Sequence, residues 1–589
     1  MDLSALLQFT PLGGTAQAEQ RSLAAVVGQQ LQAYRAGLSL LAPTAPGTRR
    51  PEISLTYRIW GMGHSPQPSP TLGSYGAIAD WFQSEGVDGR LLILGEPGMG
   101  KTHTLVAVGE VLLQRARGPG GALPVLIDLS GWAGEGLEAW LLSYLWVEYR
   151  ICRATAKGWL EEARLTLLLD GFDHLSPERQ RALARELDLV LRSRPNQRVM
   201  LCCRRRLLEA TGINLSAIGR GVEIAPLAAQ QVKDFVVAHH NSQLWQTIKA
   251  SKALQPLARF PLYLSLLVLM AGSEGPSGAG ITGRAALMQR FLQPHLAAAS
   301  APDRRALNWL ADQLAGRSRQ FRLDHLQRLW LPDSQRLAYR LLVGLGLAAL
   351  MAGMGGNLGL GLAIGLVFSQ VDLETFPYLA LSLATAPGRG LAPLLLVTGI
   401  PALVLALGLG GLGAALFSPF NRGLAALGWA GLTGATLGWG LGLLALGWGG
   451  LPGAIQGRQG PTQDRQLALG NTLGLVGVLA GIWALVLVLP PLLRGQPPLT
   501  LLPPERLRLL LASLFCAWLW LSFTLQYALV RGLLALGSRW PPLSQPLLQR
   551  LVTQRILRSV NGSYWFSHEE VRQGLRNQGD RPQGQPEED

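Results

Sequence analysis

The residues Gly95-Glu96-Pro97-Gly98-Met99-Gly100-Lys101-Thr102 carry the spacing G-x-x-x-x-G-K-[S/T] of a phosphate-binding loop. Glycines let consecutive backbone N–H groups converge on an anion, and the N-terminus of a following helix adds its dipole. Lys101 would reach the β- and γ-phosphates of a nucleotide, and the Thr102 hydroxyl would ligate Mg²⁺. A second anchor is Asp170, at the end of the apolar run Leu165-Thr166-Leu167-Leu168-Leu169. A carboxylate there, downstream of a phosphate loop, holds Mg²⁺ directly or through water. Asp173, three positions on, would orient an attacking water. Arg204 follows the apolar run Val199-Met200-Leu201-Cys202-Cys203 and would reach a γ-phosphate, whereas Arg205 and Arg206 read as a solvated basic cluster. The expected catalytic set is Lys101, Asp170, Asp173 and Arg204, the metal ligands are Thr102 and Asp170, and the nucleotide contacts run from Gly95 through His103.

These residues need a particular scaffold. Arg90-Leu91-Leu92-Ile93-Leu94, before the loop, reads as a buried strand, and Leu105, Val106, Val108, Val111, Leu112 and Leu113 after it have helical spacing. Further strands are predicted at 123–129, 165–169 and 199–203, separated by helices at 137–149 and 181–191. Fully apolar strands alternating with helices imply a parallel sheet buried on both faces, with ligands at the strand C-termini. Upstream, Leu23, Val26, Val27, Leu31, Tyr34 and Leu38 line one face of a small packing helix, and Ser65-Pro66-Gln67-Pro68-Ser69-Pro70 reads as a linker.

Four stretches together resemble a NACHT-type NTPase, a branch of the STAND class of signalling ATPases. They are the loop with its strand (92–102), Pro124-Val125-Leu126-Ile127-Asp128-Leu129-Ser130-Gly131-Trp132, Leu168-Leu169-Asp170-Gly171-Phe172-Asp173, and Val222-Glu223-Ile224-Ala225-Pro226-Leu227 with Pro261-Leu262-Tyr263-Leu264-Ser265-Leu266-Leu267. The resemblance covers about residues 75–330. It implies Pro261 near the adenine, ATP or ADP with Mg²⁺ as ligands, and a helical subdomain after the nucleotide fold. The family's usual Asp-Glu is here Asp173-His174, which leaves Asp173 as the only nearby acid and implies slow hydrolysis. Residues 555–568, expected as helix, tight turn and strand, resemble the end of the family's winged-helix piece, and that likeness places His568 against the nucleotide's β-phosphate.

The remaining composition divides the chain. The formal charge is +15 over 589 residues, but charge is scarce between about Arg340 and Val530. Five stretches there, 341–371, 390–421, 423–457, 466–493 and 509–530, lack the charges that would oppose membrane crossing. Gly434, Gly438 and Gly442 share one helix face, as close helix packing in lipid requires. No acid or base lies inside these stretches, which argues for an anchor or assembly bundle over an ion pathway. The stretch Phe321 to Leu331 reads equally as an interfacial helix or a subdomain face. Four cysteines without metal spacing, two of them adjacent in an apolar strand, suit a reduced core. No signal-peptide pattern opens the chain, and the basic tail also argues for a cytoplasmic side.

The expected architecture is therefore an α/β P-loop NTPase with a helical subdomain, an all-α polytopic transmembrane bundle and a short winged-helix-like tail. Its divisions are an N-terminal helical segment (1–60), the NTPase domain (61–228), the helical subdomain (229–337), about six spans (338–535), a winged-helix-like segment (536–577) and a disordered end (578–589). The expected function is a membrane-anchored ATP/ADP switch with slow hydrolysis, multi-pass in the inner membrane with both soluble parts cytoplasmic, in bacterial stress or defence signalling. Its partners would be lipids, further copies of itself on ATP binding, and an upstream signal. An ATP-driven transporter component is the alternative. It would need a Leu-Ser-Gly-Gly-type signature before the metal strand, and Leu129-Ser130-Gly131 sits too far upstream. Nucleic acid is disfavoured, since no helix-turn-helix, zinc finger or base-stacking module is evident.

Overall fold

The computed structural model describes residues 16–41, 52–61, 71–116, 121–149, 151–211, 215–274, 280–314, 321, 331, 335–342, 345, 529–534, 545–560 and 562–579. Seven strands form one sheet: β1 (Tyr57–Gly61), β2 (Thr71–Leu72), β3 (Arg90–Leu94), β4 (Leu123–Asp128), β5 (Leu165–Asp170), β6 (Arg198–Cys203) and β7 (Arg220–Ile224), in the order β2-β1-β7-β3-β6-β5-β4. The five from β7 to β4 are parallel, and β1 and β2 add an antiparallel edge. The predicted strands and the fully buried centre are as the apolar runs require: Leu91, Leu92, Ile93, Leu94 and Val199 to Cys203 are all buried.

Strand β6 lies between the strand that enters the glycine loop and the strand that ends at Asp170. Leu94 faces Cys203 in register, and Leu169 faces Leu201. The ends of β3, β5 and β6 therefore release the glycine loop, Asp170 and Arg204 side by side.

Helices cover the sheet. The helix Lys101–Arg115 packs beneath Ala16–Leu38, where Gly109 and Gly28 permit close approach to Leu31 and Leu113. Leu23, Val27 and Leu31 are buried there, as the helical spacing predicts. The edge strand β4 is closed by tyrosines of the helix Leu137–Tyr149. Tyr149 Oη accepts from Leu126 N–H and donates to Leu126 C=O, both at 2.7 Å, and Tyr144 Oη accepts from Asp128 N–H at 3.0 Å. Edge backbone groups that would otherwise template another strand are thus satisfied. The helix predicted at 181–191 extends over Pro177–Ser193, capped by the Ser176 side chain with Pro in its first turn.

After β7 come the helices Ala229–Ala238, Ser242–Ala250, Leu254–Ala258, Pro261–Glu274, Arg284–Ala298 and Ala301–Gln313. The C-terminal segment packs on them. It contains the helix Gln545–Thr553, the hairpin β8 (Leu557–Val560) and β9 (Ser563–Phe566), and the helix Glu569–Gly579. Residues 557–560 are thus a strand rather than the expected helix. Leu557, Arg558 and Val560 are buried around an exposed Ser559, and Gly562 takes a left-handed φ of 78° in the turn. Gly574 sits against Leu292 and Met288, and Arg576 pairs with Asp312 at 2.9 Å. Phe321 exchanges two backbone hydrogen bonds with Tyr564, each 2.7 Å, and Phe321 and Leu331 are buried, so both are core residues.

The membrane expectation needs correction. Among the described residues no helix is long and apolar enough to cross a membrane. The longest described helix, Ala16–Leu38, carries Glu19, Arg21 and Arg35 and buries only one side. Scarcity of charge favours a span, but a span also needs about 20 consecutive, predominantly apolar residues in a helix. The polytopic bundle, the transmembrane assignment and the multi-pass inner-membrane location are therefore withdrawn. The stretches on which they rested, with Gly434, Gly438 and Gly442, lie outside the described residues, as does the end from 580.

Candidate functional site

The glycine loop has the backbone its spacing demands. Gly98 and Gly100 take left-handed φ values of 79° and 93°, where an L side chain is strained. A Cβ at Gly98 would lie 3.1 Å from Leu262 Cβ, and Leu262 N–H donates to Gly98 C=O at 3.1 Å. The helix after Pro261 is thereby fixed to the loop. Gly100 caps the helix Lys101–Arg115, whose first N–H groups face the loop.

Five side chains meet at this helix start. Lys101 Nζ donates to Gly95 C=O at 2.9 Å and lies 3.2 Å from Asp173 Oδ2. Thr102 Oγ1 donates to Asp170 Oδ2 at 3.0 Å. Asp173 accepts from Arg204 backbone N–H at 2.9 Å through Oδ1 and from Arg204 Nε at 3.3 Å through Oδ2. Both oxygens of Asp173 thus face cationic side chains or their backbone, which is the geometry of a charge partner. The Thr102 hydroxyl and Asp170 carboxylate are two hard oxygen donors within reach of one ion. They fit Mg²⁺ completed by phosphate and water, the usual ligand set for that ion.

Gly171 explains the small residue after Asp170. Its φ is 85°, and a Cβ there would lie 2.5 Å from Asp128 Oδ1. Asp128 in turn accepts from Ser130 N–H at 3.0 Å, so the two strand ends interlock beside Asp170.

A cavity of about 750 Å³ runs from this cluster between the glycine loop, the N-terminal helix, the helical subdomain and the C-terminal segment. That size suits a nucleotide-scale ligand. Of the residues singled out by sequence, Glu96, Pro97, Gly98, Gly100, Lys101, Thr102, His103, Asp170, Asp173, Arg204, Pro261 and His568 all line it. Gly95 contributes its carbonyl to Lys101, and Met99 is buried beneath the loop. Arg205 and Arg206 pair with Glu223 at 3.1 Å and Glu96 at 3.2 Å on the surface.

His568 caps the last described helix. Glu570 backbone N–H donates to His568 Nδ1 at 3.2 Å, so Nδ1 must accept and the ring proton belongs to Nε2. No family model and no curated protein matches the chain. The resemblance drawn from its motifs therefore stands on the residues themselves.

Several contacts in this region were not foreseen. Tyr263, next to Pro261 and Leu262, donates its hydroxyl to the Glu570 carboxylate. His174 Nδ1 lies 3.8 Å from Glu569 Oε2, and Glu569 also pairs with Arg572. His174 carried a signal, as the residue standing where the resembled family has an acid, but Glu569 and Glu570 carried none. On the opposite wall Arg35 bridges Glu52 and Glu110. Tyr34 and Trp565 flank the Arg558 guanidinium, tying the N-terminal helix to the hairpin. Burial, and then the nearby Arg35 charge, lower the His103 pKa below its usual value. Burial raises both Cys202 and Cys203, which keeps these thiols inert in the sheet.

Proposed function

We propose that the chain is a nucleotide-dependent signalling switch of the NACHT and STAND kind, binding a nucleoside di- or triphosphate with Mg²⁺ and hydrolysing it slowly. Lys101 and the loop N–H groups hold the phosphates, Thr102 and Asp170 hold the metal, Arg204 meets the γ-phosphate, and Pro261 and His568 bound the ligand. The diphosphate state is the closed one, with the C-terminal segment docked. The triphosphate state releases that segment and lets copies of the chain assemble. An upstream signal promotes the exchange. A ligand shifts such an equilibrium only through contacts that differ between the two states, and the γ-phosphate supplies them.

One observation carries this reading. The C-terminal segment, 307 residues beyond Tyr263 in the chain, is held to the helix that follows Pro261, while His568 and Lys101 line the same cavity. A simple metabolic NTPase does not need its far end to close the site. Slow hydrolysis is favoured by Asp173, whose oxygens are occupied by Lys101 and Arg204, and by His174, which replaces an acid.

The test is the mass of the purified full chain by light scattering, with Mg²⁺ and either ADP or a non-hydrolysable ATP analogue. A rise in mass with the analogue alone supports the switch. Equal mass in both, with both bound, contradicts it.

A further inference from the structure

The contacts of Asp173 bear on which nucleotide the site prefers. Its carboxylate lies 3.2 Å from Lys101 Nζ and accepts from Arg204 at 2.9 and 3.3 Å. Its side chain is only 7% exposed, so water screens these contacts weakly. The buried Phe172 and the left-handed Gly171 fix the short turn Phe172–His174 that presents it.

We infer that Asp173 is a specificity residue that favours a diphosphate over a triphosphate by standing in for the γ-phosphate. This deepens the reading above and rests on it. A diphosphate held by the loop N–H groups and Lys101 leaves the Asp173–Arg204 pair intact. Both nucleotides must share Lys101 with Asp173, but a third phosphate directed toward Arg204 would also meet the negative charge of Asp173 and compete for the Arg204 guanidinium already paired with it. Like charges this close repel, and each charge-assisted hydrogen bond must be exchanged rather than gained. The turn that carries Asp173 also carries His174, which faces Glu569 of the C-terminal helix at 3.8 Å. Displacing Asp173 therefore moves the turn that touches the docked segment.

The arrangement gives two substitutions opposite signs. Asp173→Asn keeps an acceptor for the Arg204 N–H but removes the charge. It lowers the Kd for a triphosphate about tenfold and leaves the Kd for the diphosphate within about threefold, the size expected when one charge-assisted contact changes. Arg204→Gln removes the cation that a γ-phosphate would gain, and raises the triphosphate Kd about tenfold with the diphosphate again nearly unchanged. A purely structural role would weaken both nucleotides in both variants.

The experiment is calorimetric titration of the full chain and both variants with Mg²⁺ and ADP or its imido triphosphate analogue, and with the guanine counterparts. Opposite shifts in the ratio of the two Kd values establish the assignment. If the wild type binds both nucleotides but neither variant moves the ratio, or both move it the same way, the assignment is wrong and the nucleotide site stands. Should Asp173→Asn fail to fold, an unchanged triphosphate Kd in Arg204→Gln overturns the assignment. If the wild type binds no nucleotide, both the assignment and the proposed function fail.

Discussion

Tyr263 donates its hydroxyl to the Glu570 carboxylate, joining the start of the helix that packs on the glycine loop to the start of the last described helix. Tyr263 is fully buried, and burial followed by the neighbouring carboxylate raises its pKa, so it stays a donor across the physiological range. The phenol, the Arg576–Asp312 pair and the Phe321–Tyr564 backbone bonds together hold the C-terminal segment to the rest of the chain. Tyr263→Phe removes the hydrogen bond with little change of shape. It should weaken docking by about 1.5–3 kcal/mol, the range for a hydrogen bond to a charged group. Hydrogen exchange of residues 569–576 should rise by an order of magnitude or more in the variant, while that of β3 and β6 stays unchanged.

Gly171→Ala should be among the most destabilising single-methyl changes in the sheet domain. The backbone is left-handed, and the added Cβ would lie 2.5 Å from Asp128 Oδ1. Strain and displacement of the Asp128 cap together should cost about 2–4 kcal/mol, read as a lower denaturation midpoint. Gly86, also at positive φ but with open space around it, should tolerate Ala at about 1 kcal/mol, the strain alone.

His103 sets a pH dependence. Its folded pKa lies below the unfolded value near 6.5, because burial and Arg35 disfavour the imidazolium. The unfolded chain therefore binds more protons as pH falls through 6.5, and stability drops in that direction. The contribution is complete above about 6.5 and fades below it. His103→Gln should flatten the loss of stability between pH 7.5 and 5.5 in denaturant titrations. His295 is shifted the same way by burial, so part of the slope should remain.

Thr102 and Asp170 should act together. Thr102→Ala and Asp170→Asn each remove one oxygen donor of the proposed metal site. Each should abolish the gain in nucleotide affinity that Mg²⁺ gives, leaving metal-free affinity within a few-fold. The double variant should lose no more than either alone, since the two donors serve one ion. Titration with and without a chelator reads this directly.

The parallel centre of the sheet was legible because β3, β4, β5 and β6 are unbroken apolar runs, and because chemistry collects at their C-terminal ends. The glycine loop, Asp170 and Arg204 followed from that rule. The edges were not legible. In β1 the run Tyr57-Arg58-Ile59-Trp60-Gly61 mixes an arginine into a half-exposed strand, and β7 offers only Val222 and Ile224. The strand β8 was read as helix because four residues are too few to separate the two periods. The partners of Asp173 could not be read from types alone, since an acid near a phosphate loop serves equally as base or as counter-ion. The contacts of Glu569 and Glu570 depend on a fold that brings together positions hundreds of residues apart.

On the proposed reading, Lys101 grips a nucleotide in the cavity that His568 also lines. The direct measurement is the nucleotide released from the purified full chain, identified and counted by mass spectrometry, beside Lys101→Ala prepared identically. The expected result is close to one bound adenine or guanine nucleotide per wild-type chain, predominantly diphosphate, and none on a folded Lys101→Ala chain. A wild-type chain that carries no nucleotide and takes up none when ADP, ATP, GDP or GTP is added with Mg²⁺ would contradict it.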